Sequence, residues 1–234
     1  MDWIETIINR YADNAADFLA GLKGAEAEKI KQFEQITGRT FPDQYVDYLL
    51  RCGSYDGGIL GKLGAHTDID NLLSAYEELD EFPEDFPSGD WVIIGSGHAG
   101  VDIIMNCRTG VIHDNFYDDG GDFFAESIAK LFEQQAFLKF CIMDSEDLLE
   151  FSLSAKQIEE ELKITDQAGL LAYVSTKFEC FASINDQLSD ARKIISEGNG
   201  FSGYAELTAQ NGVMFLVSGA SGQEFISELK KDFG

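Results

Sequence analysis

Apolar residues recur along the first fifty positions at helical spacing. Ile4, Ile7, Ile8, Tyr11, Phe18 and Leu19 mark one or two amphipathic helices within residues 2–20. A further helix is predicted from Ala25 to Thr37, with Ile30, Phe33 and Ile36 on one face and Gly38 placed to end it. Phe41-Pro42-Asp43 opens the next, whose apolar face is Tyr45, Val46, Tyr48, Leu49 and Leu50 and which stops near Gly53. Gly57–Gly61 can begin a strand or a turn, and Asn71–Leu79 reads as a short helix capped by Asp70. Glu81–Gly89 holds Pro83 and Pro87 and reads as a loop.

The period then falls to two. Trp91–Ile94, Val101–Met105 and Val111–His113 are short, β-branched runs parted by glycine-bearing turns, the pattern of an antiparallel meander. Asp118–Asp122 is a loop, and Phe124–Phe140 returns to helical spacing through Ile128, Leu131, Phe132, Leu138 and Phe140. Asp144-Ser145-Glu146-Asp147 reads as a junction, which gives domains 1–145 and 146–234. In the second, Ser154–Leu162 is predicted helical, with Ile158 and Leu162 on one side. Leu170–Ile184 is strand-like through Leu171, Tyr173, Phe178, Cys180 and Ala182, and Leu188–Ile195 is helical up to Gly198. Phe201–Leu207 and Val213–Val217 form a hairpin across Gln210-Asn211-Gly212, because Asn-Gly is a strong hairpin signal. Glu224–Phe233 closes as a helix. The expected fold class is α+β: an antiparallel meander sheet packed with helices, then a smaller α+β unit of order β-α-β-β-α with a three-stranded sheet.

Composition narrows what such a chain can do. With 234 residues, 44% of them hydrophobic, it has enough material for one large core or two small ones. No apolar run reaches 18 residues, so no membrane span is expected. The start, Met1-Asp2-Trp3-Ile4-Glu5, lacks the basic and apolar regions of a signal peptide, which points to the cytoplasm. Cys52, Cys107, Cys141 and Cys180 form no CxxC and read as free thiols. The formal net charge is −25, and from Leu63 to Ala129 fifteen acids face one base, Arg108. That sign disfavours nucleic acid and anionic membranes and attracts basic proteins.

Three motifs resemble chemical sites and fail on spacing. Gly95-Ser96-Gly97-His98-Ala99-Gly100 matches GxGxxG, but β-branched Val101–Met105 follows instead of the helix that would meet a pyrophosphate; Gly97 and Gly100 are expected to serve a turn. Ser96, His98 and Asp102 can be written as a triad, yet neighbours on a hairpin lack the elbow and oxyanion hole that a nucleophile needs. Asp118-Asp119-Gly120-Gly121-Asp122 would place Ala129 at the twelfth position of a calcium loop, where a bidentate carboxylate is required. His66, His98 and His113 have no ligand spacing. No catalytic residue, metal site or cofactor is assigned.

Residues 30–58 are similar to the opening of the SUKH superfamily, of the Smi/Knr type. Phe33, Glu34, Gly38, Pro42, Tyr45 and Leu49 match its pattern, with Phe41 where Leu is usual. The meander resembles the family's in its Ile94-Gly95 start and its Thr109-Gly110 turn before Val111. Its Gly-Asp pair is interrupted here as Gly100-Val101-Asp102, and Asn106 stands where Asp is common. The likeness spans roughly residues 25–135. It implies helices packed on an antiparallel sheet and a non-catalytic role. Many bacterial members resemble immunity proteins that neutralise a toxin, and fungal members resemble signalling scaffolds.

Together these readings give an expectation: a cytoplasmic immunity protein gripping a cognate basic toxin, a nuclease among the candidates. The alternative is a regulatory scaffold that binds a cellular protein. The expected contact residues are Tyr76, Glu77, Glu78, Asp80, Glu81, Phe82, Glu84, Asp85 and Phe86, joined by Asp118, Asp119 and Asp122. Acids without bases repel one another, which a partner can exploit, and interleaved aromatics can anchor it.

Overall fold

Asp2 starts the first helix, α1 (Trp3–Tyr11), by accepting hydrogen bonds from the N–H groups of Ile4 and Glu5 at 3.0 and 3.4 Å. Its buried stripe is Ile4, Ile7 and Ile8. Helix α2 (Ala15–Gly21) buries no residue fully. Helix α3 (Ala27–Thr37) packs through Ile30 and Phe33 and ends on Gly38 at φ +64°, a conformation glycine adopts without strain. Helix α4 (Asp43–Cys52) buries Tyr45, Tyr48, Leu49 and Cys52. Ile36 and Leu50, expected on those apolar faces, are 38% and 49% exposed. The Gly57–Gly61 stretch becomes a turn leading into a 3-10 segment, Leu60–Leu63. Asp56 fixes it by accepting from the N–H groups of Gly58 and Leu60 at 2.8 and 2.7 Å.

The computed structural model describes residues 2–63, 65–79, 87–97, 101–116, 122–207 and 212–233. The chain divides into two compact units, Met1–Ala136 and Phe137–Gly234. Among the described residues no helix is long and apolar enough to cross a membrane.

In the first unit, helix α5 (Ile69–Leu79) precedes the meander. Its cap is Asp68, which accepts from Asn71 N–H at 3.1 Å, rather than the expected Asp70. The sheet has five strands in sequential, antiparallel order: β1 (Ala65–His66), β2 (Trp91–Gly97), β3 (Val101–Asn106), β4 (Ile112–Phe116) and β5 (Asp122–Ala125). Register pairs Val92 with Met105 and Met105 with Ile112, all buried. Strand β5 occupies the end of the expected loop and the start of the expected Phe124–Phe140 helix; α6 runs Ile128–Phe137 and passes into a π-helical turn, Leu138–Met143. The turn at 98–100, where Gly100 was expected to serve, lies outside the described residues, as does 117–121.

The second unit is also an antiparallel sheet covered by helices, but two segments exchange type. Strands β6 (Leu149–Leu153), β7 (Ser183–Ile184), β8 (Lys193–Gly198), β9 (Phe201–Leu207) and β10 (Val213–Ser218) order as β6-β10-β9-β8-β7, five strands where three were expected. Ser154 begins α7 (Ala155–Gln157) with a reciprocal capping box to Gln157, and a π-helical turn, Ile158–Leu162, extends it. Residues 167–179 form a helix, α8 (Gln167–Glu179), not a strand. Asp166 caps it by accepting from Gly169 N–H at 2.7 Å, and Leu170, Val174 and Phe178 bury every fourth position. Conversely, the helix expected over Leu188–Ile195 is a turn followed by β8. Lys193, Ile194, Ile195 and Ser196 are all buried, so this inner strand is covered on both faces. Lys193 sits 4.0 Å from Asp190, which is 1% exposed. Helix α9 (Gly222–Lys231) closes the unit, its Phe225 ring stacked 5.1 Å from Phe178.

Candidate functional site

Helix α5 separates its two faces cleanly. Ile69, Leu72, Leu73 and Tyr76 are buried at i, i+3, i+4 and i+7, while Asp70, Glu77 and Glu78 are exposed. Asp70 accepts from Lys29 Nζ at 2.6 Å, and that hydrogen bond raises the Lys29 pKa. Glu77 and Glu78 stand in the last turn, which holds no base. A helix C-terminus carries partial negative charge, so carboxylates there are unfavourable for the helix itself.

Tyr76 is not a surface anchor. It is 2% exposed, its hydroxyl accepts from Ile93 N–H at 2.7 Å, and its ring meets Phe33 edge-on at 5.4 Å. Burial pushes its phenol pKa upward. It binds α5 to β2 and holds the acidic face outward. Glu77 and Glu78 are therefore the expected contact residues that the described structure leaves exposed on α5. Asp80, Glu81, Phe82, Glu84, Asp85, Phe86, Asp118 and Asp119 lie outside the described residues. Asp122 opens β5, in register with Asp114.

One feature of the sheet escaped the sequence. Ile93, Ile104, His113 and Phe123 line up across β2, β3, β4 and β5 on the face opposite Val92, Met105 and Ile112. The Trp91 ring lies 4.7 Å from His113, and His113 lies 6.3 Å from Phe123. All three aromatics are half-buried. Asp90, beside this row in sequence, is held 3.6 Å from Arg108.

Two of the four thiols, Cys52 and Cys107, are poor nucleophiles here. Burial pushes Cys52 up to about 12 and Cys107 up to about 11, so both hold their protons at neutral pH. Ser96 pairs with His66 in the β1–β2 ladder and Asp102 opposes Asn115 in β3–β4, while His98 lies outside the described residues. Among the described residues no three His, Cys, Asp or Glu side chains converge as metal ligands.

The residues quoted for the SUKH likeness have defined mechanical parts. Glu34 accepts from Phe41 N–H at 2.9 Å and so ties the end of α3 to the start of α4. Gly38 makes the left-handed turn between them. Phe33, Phe41 and Tyr45 pack as successive edge-on rings at 4.9 and 5.4 Å, and Leu49 is fully buried. Residues 24–134 match the sequence profile of the SMI1 / KNR4 family (SUKH-1). This segment belongs to that family. No individual curated protein matches the chain. The SUKH segment thus covers α3 through most of α6 together with the whole meander, and the signature residues build its scaffold. Glu77 and Glu78 are not among those signature residues and are exposed on α5.

Proposed function

We propose that this chain is an immunity protein that binds and neutralises a cognate basic toxin by stoichiometric contact. The observation that carries the reading is charge: fifteen acids against one base between Leu63 and Ala129, on a domain of the SUKH family. Exposed Glu77 and Glu78 weaken their own helix, which is understandable if a cation compensates them on binding. Acidic groups of this density steer a cationic protein towards encounter, and apolar contacts then hold it. An interface of roughly 1,600 Å² is the expected scale for such a pair. Asp80, Glu81, Phe82, Glu84, Asp85 and Phe86 follow α5 in sequence and belong to the same proposal, with Asp118, Asp119 and Asp122.

The test is co-expression with the product of the adjacent gene. If that product is toxic alone and the cell survives when this chain is present, with a one-to-one complex recovered, the reading holds. A non-toxic neighbour, or toxicity that the chain fails to relieve, overturns it in favour of a regulatory scaffold for a cellular protein.

A further inference from the structure

The second sheet ends on an open edge. Among the described residues, strand β7 is the last in its sheet and pairs only with β8, Ser183 opposite Glu197 and Ile184 opposite Ser196. The neighbouring residue sets the phase of the ladder: Asn185 N–H donates to Ile195 C=O at 2.8 Å. Hydrogen-bonded and non-bonded pairs alternate in an antiparallel ladder. Ile184 therefore falls in a non-bonded pair, and its N–H and C=O point away from β8. Among the described residues no backbone group meets them.

Two depressions flank this strand and share Ser183, Ile184 and Asp186. Both are shallow and open to solvent, with volumes of about 440 Å³ and about 420 Å³. The lining is mainly polar, with Ser183 and Asp186 exposed; within it Ala182 is buried, and Phe181 and Ile184 are half-buried. The rim is acidic. Glu179 and Asp186 are exposed, and Glu197 is oriented by Asn185 Nδ2, which donates to it at 2.7 Å. Among the described residues no lysine or arginine lines either depression. The nearest base in α8, Lys177, is bound to Asp232 at 2.5 Å.

We infer that β7 docks an extended, lysine- or arginine-bearing segment of a partner protein by strand addition. The outward N–H and C=O of Ile184 supply backbone pairing, and the half-buried side chains of Phe181 and Ile184 offer one incoming side chain an apolar contact. Glu179, Asp186 and Glu197 select for positive charge. Strand addition of this kind draws affinity from the main chain and specificity from alternate side chains. The edge is only two residues long, a length that limits indiscriminate pairing. The proposal is independent of the toxin reading, since any cationic strand qualifies.

The probe is the peptide acetyl-Lys-Val-Lys-Val-Lys-amide added to the full chain, with acetyl-Lys-Pro-Lys-Pro-Lys-amide as a control of equal charge that cannot pair as a strand. Amide shifts on adding the valine peptide should concentrate at residues 179–187 and 197–199, and exchange of the Ile184 amide hydrogen should slow at least tenfold. The proline peptide should leave that amide unchanged. The double variant Glu179→Lys with Asp186→Lys, both exposed, should weaken the valine peptide at least tenfold. Equal binding of both peptides, shifts spread over the whole acidic surface, or an unaffected double variant would each overturn strand addition at β7. None of these results bears on whether the chain relieves toxicity.

Discussion

Single side chains in this molecule do structural work that their types alone do not announce. Tyr76 lies in an acidic, aromatic-rich stretch, and its neighbours make it look like an interface anchor. Its hydroxyl instead satisfies a strand N–H, and the ring fills the gap between α3 and β2. Asp232 is a second case. Burial alone would raise its pKa, but hydrogen bonds from Lys177 at 2.5 Å and Tyr173 at 2.7 Å outweigh that, and the net shift is downward. A depressed carboxylate adds stability that is present above its unfolded pKa, about 3.9, and is lost as pH falls through the lower folded value. Lys177→Met should therefore cost about 1 kcal/mol or less near pH 7, because both partners are roughly a quarter exposed. The gap between wild type and variant should close as pH falls below the usual carboxylate range. Urea unfolding at pH 7 and pH 3 checks this; an equal gap at both values would mean that the lysine acts through packing of its stem and not through its charge.

At the scale of elements, α5 joins a buried apolar stripe to an exposed acidic end. Its inner stripe is well packed, yet its last turn carries Glu77 and Glu78 with no base to offset them. Glu77→Lys with Glu78→Lys should stabilise the chain by about 1 kcal/mol, since each charge near a helix terminus is worth about 0.3–1 kcal/mol. The same change should slow association with a basic partner. Thermal unfolding and stopped-flow association measure the two sides. A less stable variant would give these carboxylates a structural role, and an unchanged on-rate would remove α5 from the encounter surface. Periodicity made most of the first unit legible: α1, α3, α4, α5 and β2–β4 each carry an unambiguous repeat or cap. It failed where two periods coincide. Leu171, Tyr173, Phe178 and Ala182 alternate like a strand, but Leu170, Val174 and Phe178 also recur every four residues, and the Asp166 cap decides for a helix. Leu188, Ala191 and Ile195 mimic a helix, while β8 is buried on both faces and so shows no alternation. Strand β5 hides because it is four residues long and begins among aspartates. The acidic face was readable because charge is compositional. The Trp91–His113–Phe123 row was not, because it exists only once the β3–β4 and β4–β5 registers are set.

For the whole molecule, a formal charge of −25 acts on stability and on association with opposite sign. Forty-two acids cannot all be paired by 17 bases, so self-repulsion opposes the compact state. The same field attracts a cationic partner from a distance. Salt screens both: the Debye length falls from about 30 Å at 0.01 M to about 3 Å at 1 M. Raising sodium chloride across that range should therefore stabilise the chain while slowing its association with a basic protein. Chloride is the right anion, because sulfate would strengthen apolar burial and blur the cause. A gain of about 1 kcal/mol corresponds to a rise of about 2–4 °C in the unfolding midpoint of a chain this size. The two responses discriminate because short-range effects do not separate them. If docking depended on apolar contact alone, the on-rate would stay flat while the midpoint rose. If the acids were already neutralised by local pairing, the midpoint would stay flat too. Only a charge surplus that is both uncompensated in the free chain and used in the encounter moves the midpoint up and the on-rate down in the same titration.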